Sequence, residues 1–301
     1  MVNLKGIFPP LPTSFDLNED LALDKMRENI KKLCQFKLSG FLVLGSNGEL
    51  VNLSENEKVE IYEMAREAIP PEQLLLTGSG GQSTRETIKL TKLAAKSGAD
   101  AVLVLNPYYY KGLMTAEALS NHYFDVAEAS PVPVIIYNMP ANSGLDMNAD
   151  TIIKISAHQN IIGMKDSGGN LGKMGDIRNC VKQDFQILAG SAGFLLPALS
   201  VGAIGGILAL ANIAPEHCLT VFKNFIDGDF ESAKQMQIKM INLNSAITSK
   251  WGIPALKAAM DHLGLYGGLA RKPIIPIKQE IKDQLFNILN NNEVLLFQKN
   301  T

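Results

Sequence analysis

Eight short apolar runs recur along the chain: GIF (6–8), FLVLG (41–45), LLLTG (74–78), AVLVL (101–105), PVIIY (133–137), IIGMK (161–165), QILAG (186–190) and IGGILAL (204–210). They are near-continuously apolar instead of alternating, as strands must be when a parallel sheet is buried on both faces. Between them lie longer patterns such as ENEKVEIYEMAREAI (55–69) and TRETIKLTKLAAKSG (84–98), with apolar residues at i, i+3, i+4 and i+7. Ser54 and Ser83 stand at N-cap positions, and Gly98 stands where a helix should stop. Alternating strands and helices fit an open doubly wound sheet or a closed barrel, and the count of eight predicts a (β/α)8 TIM barrel. About 90 residues follow the last run, with helical patterns at 217–226, 231–241 and 254–264. They exceed one closing helix, so the barrel is expected over 1–225 and a C-terminal helical extension over 226–301. No Ser/Gly/Pro-rich linker separates the two, which predicts that the extension packs on the barrel. The tail NNNEVLLFQKNT (290–301) is expected either to fray or to dock on a neighbour.

Composition narrows the field without naming a function. The 301 residues are 46% hydrophobic and 19% charged, with a formal net charge of −2, the profile of a globular enzyme with a large core. That balance, and the lack of a basic cluster interleaved with aromatics, argues against a nucleic-acid partner or an anionic membrane surface. No run of about 18 apolar residues is present that could span a bilayer. The amino terminus MVNLKGIFPP has neither a long apolar core nor an Arg/Ser-rich targeting pattern. Cys34, Cys180 and Cys218 form no CxxC and no zinc-spaced pair, so reduced thiols packed as small apolar groups and a cytoplasmic setting are expected. His122, His158, His217 and His262 are isolated in sequence from other potential ligands, so no metal is expected. With no GxSxG elbow and with the cysteines in predicted helices, serine or cysteine hydrolysis is disfavoured.

In a barrel the reacting groups gather at the carboxyl ends of the strands. The sixth run ends in IIGMKDSGGN, where Lys165 stands at the transition from strand to Gly-rich loop. Such a lysine either points to solvent or enters the barrel mouth, and in an apolar mouth desolvation disfavours the ammonium form. That is the tuning imine-forming lysines need. The fifth run ends in YNMPANSG, which puts Tyr137 one strand from Lys165 at the same level, as a core-capping phenol or a proton carrier. Three adjacent tyrosines, 108–110, follow the fourth run, too many for one core, so at least one is expected in a site or a subunit contact. The second run ends in GSNGE, where Ser46, Asn47 and Gly48 can form a nest for a carboxylate or an ordinary βα turn. After the seventh run, Gly190 and Ser191 leave room for a ligand to approach the next helix. The GSGG run at 78–81 lacks the lysine and spacing of a phosphate loop.

Taken in order and register, GSNGE, NPYY, YNMP with a following SG, and GMKDSGGN resemble the dihydrodipicolinate synthase / N-acetylneuraminate lyase superfamily over essentially the whole chain. The resemblance implies a class I aldolase in which Lys165 forms an imine with a 2-oxo acid and Tyr137 shuttles protons. It implies that Tyr109 is lent to the site by an adjacent subunit of a homo-oligomer, commonly a dimer of dimers, and that no cofactor is used. Ser46, Asn47 and the backbone at Gly48 would hold the keto-acid carboxylate, Ile207 would contact the same acid, and Ser167 would face its distal end. Two departures bear on the substrate. GSNGE replaces the synthases' GTTGE, and Asn142 stands where they carry an arginine that grips aspartate semialdehyde. An amide does not reproduce a bidentate guanidinium. The chain therefore most resembles the 4-hydroxy-2-oxoglutarate aldolase branch, with a synthase or a 2-keto-3-deoxy sugar acid aldolase as alternatives. Leu145 and Met139 are expected on the second-substrate side, hinting at a small partner. A silent keto-acid-binding barrel and a divalent-metal aldolase are further rivals.

Overall fold

In the computed structural model, which describes residues 2–297, eight parallel strands alternate with helices. They are β1 (Gly6–Phe8), β2 (Gly40–Val43), β3 (Leu74–Gly78), β4 (Ala101–Leu105), β5 (Val134–Asn138), β6 (Ile161–Asp166), β7 (Gln186–Ala189) and β8 (Gly205–Ile207). The pairing order is β1-β8-β7-β6-β5-β4-β3-β2. The seam between β1 and β2 is closed by Leu11 N–H donating to the Leu42 carbonyl at 2.8 Å and Leu42 N–H to the Pro9 carbonyl at 3.0 Å. At the β1–β8 seam the backbones run so close that a Cβ on Gly205 would lie 2.0 Å from the Gly6 carbonyl oxygen, so glycine is required there. The sheet is a (β/α)8 barrel, the closed form of the two that the alternating pattern allowed.

The ring of helices comprises α1 (Leu23–Leu33), α2 (Glu55–Ala68), α3 (Thr84–Lys96), α4 (Ala116–Ala129), the single turn α5 (Pro140–Ser143), α6 (Ala149–Ile155), α7 (Leu171–Cys180), α8 (Leu195–Ser200) and α9 (Pro215–Ile226). Local sequence explains several starts. Ser54 and Glu57 form a reciprocal capping box on α2, and Ser83 accepts from Glu86 N–H on α3, each cap stabilising by about 1 kcal/mol. Beyond α9 come α10 (Phe230–Ser245), a π turn over 246–250, α11 (Gly252–His262) and α12 (Gln279–Asn291).

Strand side chains divide between two cores by the period of two. Ala101 and Leu103 of β4 join Phe8, Leu42, Leu76 and Leu188 inside the barrel, whereas Val102 and Val104 pack outward against the helices. Two expectations change. The tail residue Phe297 docks on its own chain, its N–H donating to the Leu263 carbonyl at 2.9 Å and its ring edge-on to Phe36, while 298–301 lie outside the described residues. Of the cysteines, Cys218 is buried and Cys34 half-buried, but Cys180 is exposed, because it ends α7 on the solvent side. Among the described residues no helix is long and apolar enough to cross a membrane.

Candidate active site

The direction of Lys165 is set by a break in strand register. In β6, Ile161 packs outward and Ile162 inward, so strict alternation would send Met164 inward and Lys165 out among the helices. The β5–β6 ladder instead pairs Val134 with Ile161 but Ile135 with Gly163, a bulge that absorbs one residue. Past it the parity is inverted. Met164 packs in the outer core, and Lys165, 4% exposed, turns into the barrel mouth with Nζ 4.2 Å from the centroid of the Tyr137 ring. Tyr137 and Lys165 are register partners across β5 and β6. The Tyr137 hydroxyl lies 3.1 Å from the Ser46 Oγ, which comes from the 3-10 turn 46–48 after β2. An amine, a phenol and a hydroxyl from three strand ends thus converge.

They open on a cavity of about 490 Å3 lined also by Asn47, Met139, Asn142, Ser167, Gly190 and Ile207. A Cβ on Gly190 would stand 2.0 Å from the Ser167 Oγ and 2.6 Å from the Asp166 carbonyl oxygen, which is why only glycine follows β7. The Ser167 Oγ is buried without a protein partner among the described residues. Gly48 is buried in the turn behind Asn47, its carbonyl accepting from the Thr13 hydroxyl at 2.6 Å. Leu145 does not line the cavity, contrary to expectation. It packs on the outer core, since Ser143 Oγ bonds the 145 backbone and turns the chain away. Tyr109 is 75% exposed, edge-to-face with Tyr110, and is not brought to the mouth of its own chain. Beside Ser46 and Tyr137 lies a second cavity of about 330 Å3, walled by Leu44, Leu50, Leu103, Leu105, Tyr108 and Ile253.

Several residues that shape the site gave no sequence signal. Asp166, buried at the end of β6, accepts from Gly168 N–H at 2.7 Å, Gly169 N–H at 3.2 Å and Asn138 Nδ2 at 3.1 Å, fixing the Gly-rich loop beside Lys165. Glu49 adopts a left-handed conformation directly after Gly48 and is wholly buried. Its carboxylate meets Lys257 Nζ of α11 at 2.8 Å and accepts from Arg271 N–H at 2.9 Å, so the C-terminal extension braces the 46–48 turn. Burial pushes the Lys257 amine below its ordinary range, against the pull of Glu49. Asn244 and Thr248 of the extension line the cavity as well. The partner distances lie more than 200 residues apart in sequence for Glu49, so only a structural signal could reveal them. Among the described residues no group of three His, Cys, Asp or Glu side chains is arranged to hold a metal ion.

A (β/α)8 barrel with a buried amine, a phenol and a hydroxyl meeting at the carboxyl ends of its strands has the form of a barrel enzyme. The family model described as the Dihydrodipicolinate synthetase family matches residues 3–292, and the chain belongs to that family. A 4-hydroxy-tetrahydrodipicolinate synthase of Natronomonas pharaonis is 30% identical over 96% of this chain and 97% of its own. A probable mitochondrial 4-hydroxy-2-oxoglutarate aldolase of Emericella nidulans is 37% identical over 91% of this chain and 90% of its own. Among solved structures, a dihydrodipicolinate synthase of Bacillus anthracis superposes with a TM-score of 0.92 at 28% identity, covering 96% of this chain and 99% of that one. The protein is a lyase of the aldolase type.

Proposed function

We propose that the protein is a Schiff-base aldolase that cleaves a 4-hydroxy-2-oxo acid, foremost 4-hydroxy-2-oxoglutarate, into pyruvate and glyoxylate. The observation that carries the reading is the inward turn of Lys165 over Tyr137, with Ser46 3.1 Å from the phenol. The Lys165 amine adds to the 2-oxo carbon, and the adduct loses water, giving a protonated imine whose nitrogen accepts the C3–C4 electron pair. Tyr137, relayed through Ser46, takes the 4-hydroxyl proton as the aldehyde leaves. The enamine is then protonated at C3 and hydrolysed to pyruvate. Asn47 and the backbone of the 46–48 turn hold the C1 carboxylate, with Ile207 beneath it. Ser167 and Asn142 face the distal group. The imine is itself the electron sink, so the cycle calls on no metal or organic cofactor, and EDTA should leave the rate unchanged.

Asn142, standing in the cavity where the synthases carry an arginine, and the Ser46–Asn47 pair favour the aldolase reading over a synthase. The greater identity to the Emericella protein than to the Natronomonas one points the same way. The exposed Tyr109–Tyr110 pair and the largely apolar cavity beside Tyr137 support a homo-oligomer, commonly a dimer of dimers, in which Tyr109 enters the neighbouring subunit's site. The deciding experiment runs 4-hydroxy-2-oxoglutarate cleavage, coupled to a lactate dehydrogenase, beside condensation of pyruvate with aspartate semialdehyde. Cleavage without condensation is expected; condensation without cleavage would replace the aldolase reading by a synthase. Borohydride with pyruvate should add mass at Lys165 alone, and labelling that persists in Lys165→Ala would remove the imine assignment.

A further inference from the structure

Behind the reacting pair lies a polar brace that the cleavage chemistry does not touch. Across β5 and β6 the register pair that follows Tyr137–Lys165 is Asn138–Asp166, and parity turns both side chains away from the cavity. Asn138 Nδ2 donates to Asp166 Oδ2 at 3.1 Å and to Asp146 Oδ1 at 2.7 Å, while its own Oδ1 accepts from Met147 N–H at 3.1 Å. Lys173 of α7, its side chain 9% exposed, closes the group. Its Nζ lies 2.5 Å from Asp146 Oδ1, 3.4 Å from Asp166 Oδ2 and 3.3 Å from the Met147 carbonyl oxygen. Burial raises the Asp146 carboxyl, but Lys173 and Asn138 outweigh it and hold the group below its ordinary value. Two carboxylates thus share one amide, and Lys173 is the cation that pairs with both. None of the four side chains lines the cavity.

The brace ties together two segments that wall the cavity. One runs from Asn138 to Met147 and carries Met139 and Asn142; the other runs from Asp166 to Lys173 and carries Ser167. The first is closed at its base by the Asn138–Met147 bond, the second by the Asp166–Lys173 pair. The segments adjoin, since a Cβ on Gly168 would lie 3.4 Å from Pro140 Cγ, and Ser167 N–H donates to the Asn138 carbonyl at 2.9 Å. We infer that Lys173 is a positioning residue for the aldehyde half of the reaction, holding the two segments at the spacing that sets Asn142 and Ser167 against the distal group. The inference rests on the Schiff-base aldolase reading and adds to it a residue outside the cavity. Removing the ammonium cuts the link between the segments and leaves one carboxylate on each, Asp166 sealed and Asp146 half-exposed, to repel the other. Lys165 and Tyr137 are held separately by the strand ladder, and Ser46 by the turn that Glu49 braces.

The test runs the reaction in reverse, adding pyruvate to glyoxylate, and reads its two halves separately. Borohydride trapping as pyruvate is varied reports the imine half; kcat and KM for glyoxylate at saturating pyruvate report the aldehyde half. Lys173→Met should lower kcat/KM for glyoxylate on the order of tenfold to a hundredfold, the cost of a misplacement of about 1 Å, mostly through KM, while trapping changes by less than about twofold. Lys173→Arg restores a cation between the carboxylates and should recover most of that loss. A brace that serves stability alone would lower the melting temperature and depress both halves alike. Equal losses in the two halves, an unchanged kcat/KM for glyoxylate, or an arginine variant as impaired as the methionine one overturns the inference. Should Lys173→Met not fold, Asp146→Ala cuts the same link from its half-exposed end and should give the same split at smaller size, and a glyoxylate KM left unmoved there overturns the inference as well. A wild type that condenses aspartate semialdehyde but not glyoxylate removes the aldolase reading, and the same split measured on that aldehyde then decides the role of Lys173.

Discussion

Removing one partner of the Glu49–Lys257 pair should be among the most damaging single changes outside the reacting groups. Both side chains are sealed, at 0% and 1% exposure, with Nζ and Oε1 2.8 Å apart. Lys257 also donates to the Leu269 carbonyl at 2.7 Å and lies 4.8 Å over the Phe15 ring. Lys257→Met preserves most of the stem's packing but strands a carboxylate left with the Arg271 N–H at 2.9 Å and the Asn52 amide at 3.4 Å, both on Oε2. Breaking a buried pair this way costs about 3–5 kcal/mol. At about 2–4 °C per kcal/mol for a large domain, the melting temperature should fall by roughly 10 °C. The single tryptophan, Trp251, stands one residue before α11 and gives a local fluorescence signal for urea or thermal unfolding, compared at equal protein concentration. Glu49→Gln combined with Lys257→Met leaves no buried charge and should recover much of the loss, the coupling expected of direct partners. A single-variant loss under about 1 kcal/mol, or a double variant no better than the single, would refute the reasoning.

Tyr137→Phe should keep its fold and its borohydride trapping yet lose roughly 10²–10⁴ in cleavage rate, and a near-normal rate would give the proton to another group. Gly190→Ala forces a Cβ within 2.6 Å of backbone, so it should raise KM or unfold the site, read by trapping and melting together; unchanged kinetics and melting would contradict the close approach. Burial lowers the His122 pKa to about 4 from an ordinary value near 6.5. The unfolded chain therefore binds the proton first, and stability should fall by about 3 kcal/mol as pH drops from 6.5 towards 4. His122→Gln should flatten that slope in pH-dependent melting, and an unaltered slope would assign it elsewhere. Glu57, held down to about 2 by Arg271, acts lower: its contribution is present above about pH 4.5 and is lost as pH falls through 2.

Much of the fold was written locally. Apolar runs eight in number, the serine caps of α2 and α3, and the glycine after α3 report short-range physics: burial on both faces, orphan N–H groups, left-handed backbone. Lys165 and Tyr137 were legible as candidates because both end strands, and barrel chemistry gathers there. Whether Lys165 enters the mouth was not legible, since one bulged residue between Ile161 and Gly163 reverses every later side chain, and bulges depend on the neighbouring strand. Likewise Leu145 read as a site residue until a local turn took it to the outer core. Lys257 and Arg271 reach Glu49 from the C-terminal extension, more than 200 residues away in sequence, and Asn244 reaches Ser191 from the same extension, 53 residues away. The sequence by itself determined the elements, their order and the chemical groups at each strand end. Tertiary structure alone decided which of those groups meet, because direction along a strand is a matter of parity and contact across the chain is a matter of packing.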